Sequence, residues 1–254
     1  MKKNLSILSL TLGLLMCVTA FSACGGDDES SSGAPPQSSK HIAKIITEEG
    51  NTFYEYSFTY DSQGRVIKVI ETRTGTGTNS YSETEYQYGE MLIVSKMKRE
   101  GTYSNGQPFT HTLSHSYTLE NGLIVKDKEQ QNGSTSTDTF SYDSNNYLSS
   151  ISSKIITWSE GNLTELGDTS FEYSNNLWVK GFFLGLDGSN MDECLFAKGY
   201  YGNIPKYLPS KSSWRTSGET YDYTVEGSYV TKVVITPFVE DNKRHKSTST
   251  IIWE

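Results

Sequence analysis

The chain reads as all-β: an antiparallel meander of about fourteen strands forming a strongly curved sheet or open barrel, with one short helix and an irregular insertion near residues 190–214. Three observations predict this. In residues 51–60 the even positions Tyr54, Tyr56, Phe58 and Tyr60 share one face while Glu55, Ser57 and Thr59 share the other, the period of a half-buried strand. Residues 109–119 repeat the pattern, with Phe109, His111, Leu113, His115, Tyr117 and Leu119 opposite a face of Thr and Ser. Finally, the stretch FTYDSQGRVIKVIET at residues 58–72 is a strand end, a turn and an outgoing Val/Ile strand. Its aromatic-x-Tyr signature returns near Tyr88, Tyr142, Tyr173 and Tyr223, and as His115-Ser116-Tyr117.

From the N-terminus, Lys2 and Lys3 precede an apolar run at residues 5–18, then Ala20-Phe21-Ser22-Ala23 and Cys24. This reads as a secretory signal over residues 1–23, since a membrane span needs about 20 apolar residues. Cys24 directly after Ser22-Ala23 resembles the bacterial lipobox, which implies cleavage before Cys24 and acylation of its sulfur. Residues 24–40 are then the acylated Cys and a flexible acidic tether rich in Ser, Gly and Pro, and residues 41–254 form a single β domain. Loss of the two lysines makes the formal charge of −8 two units more negative. Such a surface has no electrostatic attraction for nucleic acid. Cys17 leaves with the signal and Cys24 carries lipid, so Cys194 stands alone without a disulfide partner.

Turn residues then divide the chain at Glu49-Gly50-Asn51, 61–64, 75–79, Gly89-Glu90, 101–108, Asn121-Gly122, Asn132-Gly133, 143–146, Gly161-Asn162, 174–176, Glu226-Gly227 and Asp241-Asn242. Asn121-Gly122 is the clearest, because a type I′ hairpin turn needs positive φ at both central positions. The rhythm breaks after Gly185. Asn190 suits a helix N-cap, Asp192 and Glu193 suit the first turn, and Gly199 suits a left-handed end. Met191, Cys194 and Leu195 fall on one helical face. So short a helix needs an apolar surface to dock on. Pro205 and Pro209 argue against a central strand over residues 200–209. A closed barrel of some fourteen strands would be too wide for side chains alone to fill, and residues 191–208 are the expected filling.

The Tyr-Asp-x-x-Gly-Arg-x-Ile run at residues 60–67 resembles the tyrosine-aspartate repeats of Rhs-type shell proteins, and Tyr142-Asp143 matches in part. The lipobox, the acidic tether, the aromatic-x-Tyr hairpins and the late Pro-containing interruption together resemble a lipoprotein family of gut bacteria with a porin-like β fold (domain of unknown function 4595). That resemblance covers residues 42–254. It implies a curved or barrel-like sheet and an outer-membrane lipoprotein, on the cell surface or on the periplasmic face, and it carries no catalytic residue. The acidic run after Cys24 resembles the tag that directs such lipoproteins to the outer face. The wall here places aromatic residues inside and Thr, Ser, Glu and Lys outside, the reverse of a membrane barrel.

His111 and His115 stand about 13 Å apart on a strand, too far to share one ion, and read as interior histidines. The acidic stretch at residues 187–193 lacks the spacing of a calcium hand and reads as a turn into the helix. Cys194, on the apolar side of the helix, reads as a buried small hydrophobe. No nucleophile elbow, zinc-protease, phosphate-loop or dinucleotide motif is present, so no catalytic residue, metal or cofactor is assigned. Seventeen Tyr, ten Phe and four Trp remain. Those that flank or lie in the irregular segment, Trp178, Phe182, Phe183, Tyr200, Tyr201, Tyr207 and Trp214, are the candidate ligand-binding residues. The expected protein is a non-catalytic binding or envelope-interaction module. Its expected partners are the membrane, through the lipid anchor, and a glycan or other extracellular ligand. A purely structural shell or adhesin component is one alternative; a glycan or peptide hydrolase is another.

Overall fold

The structure, a computed structural model, describes residues 40–75, 79–184, 191–238 and 245–254. The signal, Cys24, most of the tether and the Asn190 cap lie outside the described residues.

Among the described residues there are sixteen strands and one helix. The first half of the chain gives β1 (Ile42–Glu49), β2 (Thr52–Tyr60), β3 (Val66–Gly75), β4 (Asn79–Tyr88), β5 (Leu92–Thr102), β6 (Pro108–Glu120), β7 (Leu123–Gln131) and β8 (Ser134–Tyr142). The second gives β9 (Leu148–Ile151), β10 (Lys154–Ser159), β11 (Asn162–Leu166), β12 (Thr169–Leu177), α1 (Glu193–Ala197), β13 (Tyr207–Trp214), β14 (Ser217–Glu226), β15 (Tyr229–Phe238) and β16 (Ser247–Trp253). Each strand pairs with its neighbours in sequence, and β16 returns to β1, so the meander is a closed barrel. Ile42 lies opposite Trp253 and Glu49 opposite Ser247. Just beyond, His41 and Glu254 exchange backbone hydrogen bonds of 2.7 and 2.9 Å. Closure removes the free edges that an open sheet would present to other chains.

The expected strand number was too low because three turns carry weak signals. Ser152-Ser153 joins β9 to β10, with Ser152 at φ 51, and Arg215 turns β13 into β14 at φ 54. Gly167-Asp168 joins β11 to β12. Conversely, Ser174, Asn175 and Asn176 form no turn; they lie inside β12 where its register with β13 slips. Asn121-Gly122 is the turn expected, with φ of 52 and 80.

Eight hairpins follow one plan. Each odd-numbered strand has a buried aliphatic at or near its start: Ile42, Val66, Ile93, Ile124, Leu148, Leu163, Leu208 and Val230 are each no more than 1 % exposed. In seven of the eight hairpins an aromatic polar group from the even strand then caps a carbonyl on the odd one. Tyr60, Tyr88 and Tyr142 donate from Oη to the carbonyls of Ile42, Val66 and Ile124 at 2.6–2.7 Å. Tyr173 and Tyr223 donate to Leu163 and Pro209. Trp158 and Trp253 use their indole N–H on Leu148 and Val230, both at 2.8 Å. This clamp is the physical content of the aromatic-x-Tyr repeat. It satisfies an interior carbonyl that would otherwise be left without a partner. Tyr88→Phe is expected to lower stability by about 0.5–1.5 kcal/mol in urea unfolding, the worth of one such bond; no change would show that the Val66 carbonyl finds another donor.

The outer wall is charged. Lys44 pairs with Glu55, Lys68 with Glu83 and Lys98 with Glu100 at 2.6–2.7 Å, and Lys211 with Glu172 at 2.8 Å. Each Lys or Arg on a lipid-facing strand near the bilayer centre costs about 2–4 kcal/mol, so this wall faces water. Inside, the wall grades from apolar near the clamped end to polar higher up. There Glu71 holds Arg99 in a two-pronged pair at 2.8 and 3.0 Å, and Arg73 lies over the Tyr54 ring.

The irregular segment runs from Trp178 to Lys206, between β12 and β13, rather than over residues 190–214. Pro209 is part of β13, against the expectation. It sits opposite Tyr173 of β12 at an irregular register, while pairing with β14 starts only at Lys211, so its missing N–H breaks no ladder bond. The segment enters the clamped end of the barrel and is stitched to three links there. Ile124 N–H donates to the Tyr200 carbonyl, Asn203 N–H to Asn146, and Lys206 N–H to Gly161, at 2.8–3.0 Å. Trp178, Phe182, Leu195 and Tyr201, each no more than 1 % exposed, fill the space the wall cannot. This plug carries the centre of the core.

Candidate functional site

Above the plug the barrel keeps a cavity of about 500 Å³. Its walls come from β1 to β4, β15 and β16, through Ile45, Tyr56, Phe58, Val69, Tyr86, Val233, Ile235 and Ile251, with Thr47, Thr84, Ser247 and Ser249 between them. Its floor is the plug: Phe182, Phe183, Leu184, Asp192, Glu193 and Cys194. Alternation explains the wall, because inward positions of neighbouring strands stack into rows. The floor exists because α1 is too short to cross the barrel and ends its apolar side at the lumen.

Asp192, not Asn190, is the N-cap. Its Oδ1 accepts from Leu195 N–H at 3.0 Å and its Oδ2 from Tyr86 Oη at 2.8 Å, with Tyr117 Oη at 3.5 Å. Its own N–H donates to Tyr201 Oη at 3.3 Å. The cap therefore also ties the plug to β4 and β6. Burial pushes the Asp192 carboxyl above its ordinary range, against the hydrogen bonds that favour its charged form.

Glu193 beside it lines the cavity floor, with its side chain still exposed. Loss of surrounding water inside the barrel, then the neighbouring Asp192 charge, pushes its carboxyl up to about 7. Burial also raises the Cys194 thiol. On β6, His115 Nδ1 lies 2.8 Å from Asp127 Oδ2; burial opposes its charge, but the carboxylate outweighs this and holds it above its usual value. His111 lies apart, 3.5 Å from Tyr103 Oη. Among the described residues no three His, Cys, Asp or Glu side chains converge as metal ligands.

A raised carboxylate favours folding at low pH. Glu193 contributes fully below its ordinary 4.5 and loses that contribution as pH rises through about 7. His115, also raised, acts in the same direction above 6.5. Thermal melts should therefore show stability falling from pH 5 to pH 8, and Glu193→Gln should flatten part of that slope. An identical slope in the variant would mean that Glu193 keeps an ordinary pKa.

Of the seven aromatic candidates, Phe182 and Phe183 line the cavity. Trp178 packs edge-on against Phe182 and Phe196 at 6.3 and 5.9 Å, inside the plug. Tyr201 packs on Phe140, and Tyr200 stacks on Tyr88. Tyr207 opens β13 beneath Lys206. Trp214, 44 % exposed, lies at the other end of that strand beside Arg215. The seven thus do not form one site. Asp192 and Glu193 were legible only as helix-start residues; nothing local told that the helix start would face a lumen.

No family model matches the sequence, and no curated protein matches it. Among solved structures the chain is similar to a porin-like protein from Bacteroides vulgatus ATCC 8482, at 11 % identity and a TM-score of 0.34, over 85 % of this chain and 99 % of that one.

Proposed function

We propose that the protein is a lipid-anchored, water-facing barrel of the cell envelope that binds a small ligand in its lumen without transforming it. The cavity above the plug carries this reading. It is of the size of small-molecule sites, mostly apolar, and bears a few polar groups on its wall and floor. A titratable group displaced from its ordinary range lies on its floor, a frequent mark of functional sites. A purely structural barrel has no use for an unfilled apolar cavity beside an ionisable floor. A hydrolase would need two free carboxylates, whereas both Asp192 oxygens are already occupied.

The test of binding is a thermal-shift screen of metabolites, amphiphiles and short glycans on the full-length chain carrying Cys24→Ser. A native-state ligand at a hundred times its Kd adds about 2.7 kcal/mol, a rise of several degrees in Tm. A screen in which no compound moves the Tm, with a cavity-filling Thr84→Phe equally silent, would favour the structural reading. The anchor is tested separately. Cys24→Ser should move the protein from the membrane pellet to the soluble fraction, and retention in the pellet would overturn lipid anchoring.

A further inference from the structure

The cavity has charge of one sign only. Among the described residues, Asp192 and Glu193 are the carboxyl groups that line it, and no Lys, Arg or His does. Of the interior basic groups, Arg99 is held by Glu71, Arg65 by Asp61 and His115 by Asp127, while Arg73 stacks over Tyr54 and is not among the residues lining the cavity. Asp192 is held by Leu195 and Tyr86. Glu193, by contrast, has no donor and no cation among the described residues. A carboxylate without a partner on the floor of a mostly apolar lumen attracts a cation, and a hydrogen-bonded one pairs with it more strongly than a neutral donor does.

The apolar wall rises from this same floor. Phe58, Val69, Phe183, Val233 and Ile251 offer a surface with no charge. Serine and threonine hydroxyls along the wall accept or donate weakly and set no preference of sign.

We infer that the lumen takes a small amphiphile with an apolar body and one protonated amine, the amine seated on Glu193 and the body along Phe58, Phe183, Val233 and Ile251. This rests on the lumen-binding reading above and adds the class of ligand. Fatty acids and phosphate-bearing lipids are disfavoured by the same charge, since like charges at the lumen floor repel. An alkyl ammonium, with a pKa near that of lysine at about 10.4, stays protonated across the range in which Glu193 ionises. Its binding should therefore strengthen as the pH rises, and should release a proton from Glu193 near neutrality.

The probes are n-octylamine, n-octanol and octanoate, titrated calorimetrically into the full-length Cys24→Ser chain below their aggregation limits. Octylamine should bind at least about tenfold tighter than octanol, a difference of about 1.4 kcal/mol, and octanoate more weakly than both. Octylamine affinity should rise between pH 5.5 and pH 8 while octanol affinity stays level. Glu193→Gln should bring octylamine close to octanol and leave octanol unchanged. Equal affinities for amine and alcohol in the parent chain would overturn the amine inference and leave the lumen site standing. An unaltered amine preference in Glu193→Gln would overturn the seat assigned to Glu193. Should that variant fail to fold, a flat pH profile for octylamine in the parent chain decides against the inference alone. Absence of binding by all three probes would overturn the inference, while the lumen reading is decided by the broader thermal-shift screen.

Discussion

Replacing residues 178–206 by an Asn-Gly turn is expected to abolish cooperative unfolding of the barrel. The graft is geometrically simple, because Leu177 and Tyr207 already lie opposite each other in the ladder. What it removes is the centre of the core. Trp178, Phe182, Leu195 and Tyr201 are each worth about 1.5–3 kcal/mol by burial, and a wall of sixteen strands has nothing with which to replace them. The product should bind hydrophobic dyes and melt without a sharp transition. A point variant gives the same result in smaller measure. Trp178→Ala should cost about 3–5 kcal/mol, lowering Tm by roughly 6–20 °C at 2–4 °C per kcal/mol for a domain of this size. Trp178→Phe should cost far less, because the indole N–H of Trp178 has no acceptor among the described residues and its loss leaves no group there unsatisfied. A sharp melt at the parent temperature after excision would mean that the segment is a gate over the lumen and not its filling.

Tyr117→Ala is expected to have the second largest effect, about 3–5 kcal/mol. Tyr117 is 2 % exposed, stacks parallel on His115 at 5.5 Å and faces the Asp192 cap. Thr112→Ala, on the outward face of the same strand, should stay within about 0.5 kcal/mol. The five tyrosines of the clamp are only half-buried, so their replacement by Ala should fall between these limits. Urea unfolding of the two variants side by side is the check. Similar losses from Tyr117 and Thr112 would reverse the assignment of inner and outer faces.

Alternation and turn chemistry made most of the wall legible. Tyr54, Tyr56, Phe58 and Tyr60 declared one face of β2 because a strand buries every second residue, and Asn121-Gly122 declared its turn because few residues accept positive φ twice in succession. Ser152 and Arg215 also adopt positive φ, but neither residue type signals it, so β9, β10, β13 and β14 were miscounted. Closure was illegible for a different reason. It depends on strand tilt and stagger summed over the whole sheet, and on Ile42 meeting Trp253, a pairing with no local mark. The plug starts earlier than its prolines and helix suggest, because its first anchor, Trp178, follows a strand without interruption. The floor of the lumen has no local mark at all, since Glu193 acquires its setting only when the barrel closes around the plug.

The seam between β1 and β16 has a consequence for how a cell makes this protein. The ladder that finishes the barrel joins residues roughly two hundred apart, and loop closure over such a distance must precede its hydrogen bonds. During synthesis the outer edge of β1 therefore waits, unpaired, until the last strand has left the ribosome. Up to that moment the nascent chain carries an apolar, aromatic-rich face and an open edge, the two features that recruit holding chaperones or seed aggregates. Truncation by a single terminal strand is thus not a small lesion. Loss of β16 would leave two mutually attractive edges per molecule, and such chains should join end to end before they fold alone.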